Sequence, residues 1–196
     1  MVNKIKTCVF ISGRGSNFLS ILKYSRDYNF PIKIELVISN NIKAKGLIYA
    51  NKYGIPFKFF SSSNQKNFER NCLKEIKKRK IKFICLAGFM KILSNNFINS
   101  FRNRIINIHP SLLPKFKGLN THKRVLNTKD KYSGCTVHFV NSKLDSGKII
   151  LQKKVKISKN DTKNSLARKV LIQEHKLYPR SILKIFSLWK RNLFLF

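Results

Sequence analysis

Acidic residues are scarce in this chain: Asp27, Glu35, Glu69, Glu75, Asp130, Asp145, Asp161 and Glu174 are the only eight, against 41 lysines and arginines in 196 residues. Any reaction that needs a carboxylate must draw on that short set. The four cysteines, Cys8, Cys72, Cys85 and Cys135, stand far apart with no C-x-x-C spacing, which argues against a zinc site or a disulfide framework. Three of them fall in or beside apolar, strand-like stretches, where cysteine packs as a small hydrophobe. No apolar run reaches the roughly 18 residues that a membrane span needs. The apolar stretch within "MVNKIKTCVFISGRGSN" is too short for a signal peptide, so the expected location is the cytoplasm, with no membrane partner. H-x-x-x-H and H-E-x-x-H spacings are absent, and no metal is expected. Internal repeats, linkers and low-complexity boundaries are also missing, which leaves a single domain over 1–196 as the expectation.

At 43% hydrophobic and 12% aromatic residues, the chain has the material for a real core and is not a disordered polymer. Its net charge of +33 would suit a polyanion. The bases, however, are spread over the whole length, and lysine, asparagine and isoleucine are abundant together. That pattern fits an AT-rich coding bias with lysine placed wherever the surface tolerates it. A solvated basic surface therefore outweighs a dedicated nucleic-acid face, and specific nucleic-acid binding is not expected.

Strand and helix signals alternate through the first half. "KTCVFIS" at 6–12 reads as a strand, "GRGSN" as a turn, and "FLSILKYS" as a helix with Leu19, Ile21 and Leu22 on one face. "IKIELVIS" at 32–39 is the next strand, "KAKGLIYANKYG" a helix closing near Gly54, and "PFKFF" a short strand. "NFERNCLKEIKKRK" is a basic amphipathic helix with Phe68, Cys72 and Ile76 at four-residue intervals. "KFICLAG", then "SNNFINSF" with Ser94 as its cap, then "RIINIH" give strand, helix, strand. Such alternation implies a Rossmann-like, mostly parallel α/β sheet with helices on both faces.

The pattern changes after "HPSLLPKFKG". "THKRVLNT" reads as a short helix, while "GCTVHFVNSKL" and "KIILQKKVKI" read as strands of an antiparallel hairpin around "DSG". "DTKNSLARKVLIQEHKLYP" starts a helix with a cap-like Asp161-Thr162. Pro179 is expected to kink or end it before "SILKIFSLWKRN" resumes the helical pattern.

Three stretches carry candidate chemistry. In "SGRGSN", Gly13, Gly15, Ser16 and Asn17 lie between a strand and a helix, where exposed N–H groups and the helix dipole suit a phosphate. A glycine turn without a ligand is an equal alternative on local grounds. In "NIH", Asn107 and His109 share one face of a strand that Pro110 ends. "LDSG" offers Asp145 as a carboxylate to orient that imidazole, or else as an ordinary turn residue. "LAGFMKIL" exposes Met90, Ile92 and Leu93 after a strand end, as core packing or as an apolar rim for a flat aromatic cosubstrate. His138 alternates within a strand and reads as packing or solvent-facing.

In order and spacing, "VFISGRGSN", "ISN", "GIP", "LAGFMKILS", "IINIHPSLLPKFKGLNTH", "GCTVHFVNSKLDSGKIILQ" and "QEHKLYP" resemble the phosphoribosylglycinamide formyltransferases over nearly the whole chain. The resemblance implies transfer of a formyl group from 10-formyltetrahydrofolate to the amine of glycinamide ribonucleotide in purine biosynthesis. It implies Asn107, His109 and Asp145 as catalytic residues. It further implies Gly15, Ser16, Asn17 and Glu174 at the ribonucleotide, and Met90, Lys91, Ile92, Leu93 and Asn107 at the folate. A monomer or homodimer is expected. Asp145 is expected to raise the imidazole pKa, and protonated His109 to donate to the developing oxyanion. Asn120, Ser142 and Gln65 depart from residues common at those places, and the closing "NLFLF" is shorter than the family's tails. A methionyl-tRNA formyltransferase domain and a non-catalytic RNA-binding protein are the rival readings.

Overall fold

The computed structural model describes residues 4–191, so the closing "NLFLF" at 192–196 lies outside the described residues. The chain forms two compact units, one up to Ile106 and one from Asn107 onward.

The first unit begins with β1 (Ile5–Ile11), α1 (Ser16–Ser25), β2 (Ile32–Ser39), α2 (Gly46–Lys52) and β3 (Phe57–Phe59). It continues with α3 (Gln65–Lys78), β4 (Phe83–Leu86) and α4 (Asn95–Ser100). β1 pairs in parallel with β2 and β4, and β2 with β3. Cys8 to Ile11 are wholly buried, which explains why β1 reads as a continuous apolar run and not as an alternation. Phe10 anchors an aromatic cluster, edge-on to Phe89 at 5.3 Å and to Phe68 and Phe97 slightly farther away. α3 buries Phe68, Cys72 and Ile76 as their spacing requires. α1 buries Phe18, Ile21 and Leu22, whereas Leu19 is only half-buried.

β5 (Ile105–His109) carries the chain into the second unit, which holds α5 (Thr121–Leu126), β6 (Tyr132–Phe139), β7 (Ile149–Lys156) and α6 (Lys163–Arg191). The strand order is β3-β2-β1-β4-β5-β6-β7. β6 and β7 form the antiparallel hairpin. β6 starts earlier than "GCTVHF" suggests and stops at Phe139, because Asn141 begins an Asx turn onto the Lys143 N–H at 3.1 Å. All four cysteines are buried thiols, none of them in a disulfide.

α6 runs through Pro179 as one element, so the proline does not end the helix. Leu177, Tyr178, Ile182 and Ile185 are buried on both sides of the proline. Burying such side chains stabilises by about 1.5–3 kcal/mol each, against about 3 kcal/mol for an interior proline. The start of α6 carries a reciprocal cap: Ser165 N–H donates to Thr162 Oγ1 at 3.1 Å and Thr162 N–H to Ser165 Oγ at 2.9 Å. Asp161 stands just outside it. Hydrogen bonds from Lys169, the Ser158 N–H and Ser165 hold its carboxyl down at about 2.

Candidate active site

In the first unit, the turn after β1 is set by close backbone approach. Gly15 takes φ 72°, and a Cβ there would meet Gly46 Cα at 2.4 Å, so only glycine fits. Gly46 N–H donates to Gly13 O at 3.0 Å and fastens the turn to the start of α2. Gly15 is the N-cap of α1 and supplies no side-chain acceptor, and the helix has no acid in its first turn. Gly15 thus offers the start of α1 no side-chain cap, and no acid in the first turn opposes an anion there.

Residues Ser12 to Asn17, with Ala87, Gly88 and Met90, line an open cleft of about 470 Å³. Met90 N–H donates to Ser12 Oγ at 2.8 Å, and Ser12 Oγ donates to Asn40 Oδ1 at 2.6 Å. Met90, which lines that cleft, and Ile92 are 65% and 67% exposed, and Lys91 is exposed between them.

Leu93 differs from the expectation that it is exposed. It is buried because it directly precedes Ser94, the cap of α4, in the position of a hydrophobic staple, and Ile98 at the partner position is buried as well. Glu69 on α3 braces this corner, accepting from the Ser94 N–H at 2.6 Å and from its hydroxyl. Gln65 Nε2 donates to Glu69 Oε1 at 3.0 Å and to Ile92 O at 3.1 Å, so it serves the loop itself.

In the second unit, the end of β5 presents Asn107 and His109. His109 Nε2 lies 2.9 Å from Phe116 O, and its Nδ1 lies 3.3 Å from Asp145 Oδ2. Both acceptors come from non-glycine residues in left-handed backbone, Phe116 at φ 55° and Asp145 at φ 45°. Strain of this kind persists only where surrounding structure enforces it. The Gly118 N–H donates to Asp145 Oδ2 at 2.9 Å. Thr136 pins the "HPSLLP" loop, donating to Ser111 O at 2.6 Å and accepting from the Leu113 N–H at 3.1 Å. Gln152 Nε2 donates to Leu113 O at 2.7 Å.

The electrostatics bear out the upward pull of Asp145 on His109 but correct the expectation of a protonated resting ring. Burial pushes the His109 pKa below the ordinary histidine value; the Phe116 carbonyl and Asp145 pull it upward but do not prevail. Burial also acts to raise Asp145, but the His138 ring 3.6 Å from Oδ1, the hydrogen bond from the Gly118 N–H and the neighbouring His109 hold its carboxyl below the usual value.

The second unit thus gathers Asn107, His109 and Asp145, while Gly15, Ser16 and Asn17 line one cleft with Met90 in the first. Glu174 is buried on α6, close enough to Cys135 that its charge adds to the burial that drives that thiol up to about 12. Asn120 takes left-handed backbone at the cap of α5 without a capping hydrogen bond.

His138 was missed. It is buried, not solvent-facing, and its Nε2 lies 3.3 Å from Asn107 Nδ2 and 3.6 Å from Asp145 Oδ1. β6 is buried almost throughout, so alternation along it carries no information about facing. The usable signal was polarity, in that Thr136 and His138 are polar at i and i+2 in an otherwise apolar stretch.

Residues 5–182 match the formyl transferase family. The chain is 40% identical over 182 residues to the trifunctional purine biosynthetic protein adenosine-3 of Homo sapiens, covering 91% of this chain and 18% of that protein. It is 40% identical over 180 residues to phosphoribosylglycinamide formyltransferase of Haemophilus influenzae, covering 89% of this chain and 84% of that one. The crystal structure of phosphoribosylglycinamide formyltransferase from Brucella melitensis superposes with a TM-score of 0.89 at 39% identity, over 94% of this chain and 96% of that one.

Proposed function

Because the chain belongs to the formyl transferase family, we propose that it transfers a formyl group from 10-formyltetrahydrofolate to the primary amine of glycinamide ribonucleotide. The products are formylglycinamide ribonucleotide and tetrahydrofolate. The observation that carries this reading is the convergence of Asn107, His109 and Asp145 at the end of β5 and in the turn after β6.

Both substrates find matching chemistry in the chain. The N-terminus of α1 at Gly15, Ser16 and Asn17, with no side-chain cap from Gly15 and no acid in its first turn, suits the ribonucleotide phosphate. Met90 and Ile92 offer exposed apolar surface for the flat pterin, with Lys91 between them. Glu174 is assigned to the ribonucleotide by correspondence with the family. The reaction needs no metal in this scheme.

The folate supplies the formyl group. The amine nitrogen bonds to the formyl carbon, the bond from that carbon to the folate nitrogen breaks, and one proton moves from the amine to that nitrogen. Charge that gathers on the formyl oxygen is met by the Asn107 amide, a donor already fixed in place. His109 has an acceptor at each nitrogen, so the imidazolium form satisfies both. Burial keeps the resting ring mostly neutral at pH 7; in the protonated form that arises during transfer, Nδ1–H faces Asp145 and Nε2–H is shared between the Phe116 carbonyl and the formyl oxygen. Asp145, ionised at neutral pH, stabilises that imidazolium and carries the proton from the amine toward the leaving nitrogen, directly or through water.

Steady-state kinetics with glycinamide ribonucleotide as acceptor test this scheme. His109→Ala and Asp145→Asn should each lose about 10²-fold or more in kcat while retaining the native circular dichroism spectrum. Near-normal turnover in both would remove the mechanism.

A further inference from the structure

His138 is only 2% exposed and sits next to last in β6, where the register against β7 shifts between Val137 and His138. Such a shift re-aims a side chain relative to the regular pleat. The ring ends in contact with two polar groups of the site and one backbone carbonyl. Nδ1 lies 2.8 Å from Phe139 O. A carbonyl can only accept, so Nδ1 carries a proton.

That carbonyl is itself tightly held. The Phe139 N–H donates to Lys148 O at 2.9 Å, and a Cβ on Gly147 would fall 1.7 Å from the Phe139 oxygen. With its proton on Nδ1, the neutral ring presents a lone pair at Nε2. Asp145 Oδ1, 3.6 Å away, is an acceptor and cannot use it; Asn107 Nδ2, at 3.3 Å, is a donor and can.

We propose that His138 is a positioning residue for formyl transfer: its Nε2 accepts one amide proton of Asn107, fixes the rotation of that amide, and leaves the second N–H as the one presented to the formyl oxygen. This rests on the formyl-transfer reading above. Asn107 alone has no means of telling its nitrogen end from its oxygen end. His138 makes the distinction, and the backbone carbonyl of Phe139 sets which way His138 makes it. The Asp145 carboxylate keeps its own donors, the Gly118 N–H and His109.

Two measurements test the proposal. In the wild-type protein, nitrogen-15 NMR of the imidazole should show His138 as the Nδ1–H tautomer at neutral pH; a proton on Nε2 would overturn the assignment. The second is a double-mutant cycle of His138→Phe and Asn107→Ala. His138→Phe alone should lower kcat by about 10- to 100-fold, with both KM values changed less than about twofold. In the Asn107→Ala background the same substitution should cost almost nothing more, because its effect passes through Asn107. His138→Gln, which keeps an acceptor, should recover part of the loss. Losses that add, or a rise in KM with kcat intact, would overturn the proposal. Absence of transfer by the wild-type protein would instead defeat the formyl-transfer reading, and the tautomer measurement would still decide the link between His138 and Asn107.

Discussion

His109 is pulled two ways, and the balance has a measurable consequence. Burial disfavours its charged form, and His122 is lowered too, first by burial and then by the charge of Lys163. As pH falls through the ordinary value of 6.5, the unfolded chain takes up these protons before the native state does. Native stability should therefore decline from about pH 6.5 downward and level off once the lowered native values are passed. Thermal melts between pH 7.5 and 5 should show it, with a shallower slope in His109→Phe; a flat or rising profile would contradict the assignment. The depressed carboxyl of Asp161 acts lower on the scale, its contribution being lost as pH falls from 3.8 toward about 2. Asn107 and His109 were legible in the sequence because strand spacing and the following proline mark a strand end. The burial that outweighs Asp145 and the Phe116 carbonyl at His109 was not, since it depends on tertiary packing that local pattern does not describe.

At the scale of elements, the turn between β1 and α1 is tightly constrained by the close approach of Gly15 to Gly46. Gly15→Ala adds a Cβ both at φ 72° and against the Gly46 backbone. The substitution should cost more than about 1 kcal/mol in denaturant unfolding and weaken ribonucleotide binding together. Unchanged stability would mean that α2 moves aside easily. Strand and helix alternation through β5 was readable because buried parallel strands are short apolar runs and each helix keeps a clear face. That α6 continues past Pro179 was not legible, because the proline's local effect is strong while the burial that carries the helix through it is tertiary. Leu93 misled in the same way: its neighbours Met90 and Ile92 are exposed, and only the capped start of α4 turns it inward.

At the scale of the whole molecule, a net charge of +33 sets the solution behaviour more than the chemistry. Lysines repel one another over the Debye length, about 10 Å at 0.1 M salt, and the eight acids cannot neutralise them. Raising ionic strength from about 0.01 M to about 0.3 M should raise the melting temperature; a melting temperature that falls or stays level would show that the repulsion is already relieved. The same charge is what kept a tRNA substrate among the rival readings, and the choice of acceptor is the point on which the account stands. A competition assay at moderate salt, with 10-formyltetrahydrofolate as donor and glycinamide ribonucleotide and methionyl-tRNA as acceptors, decides it. The formyl group should appear on the ribonucleotide and none on the tRNA; formylated methionyl-tRNA beside unreacted ribonucleotide would contradict the proposed acceptor.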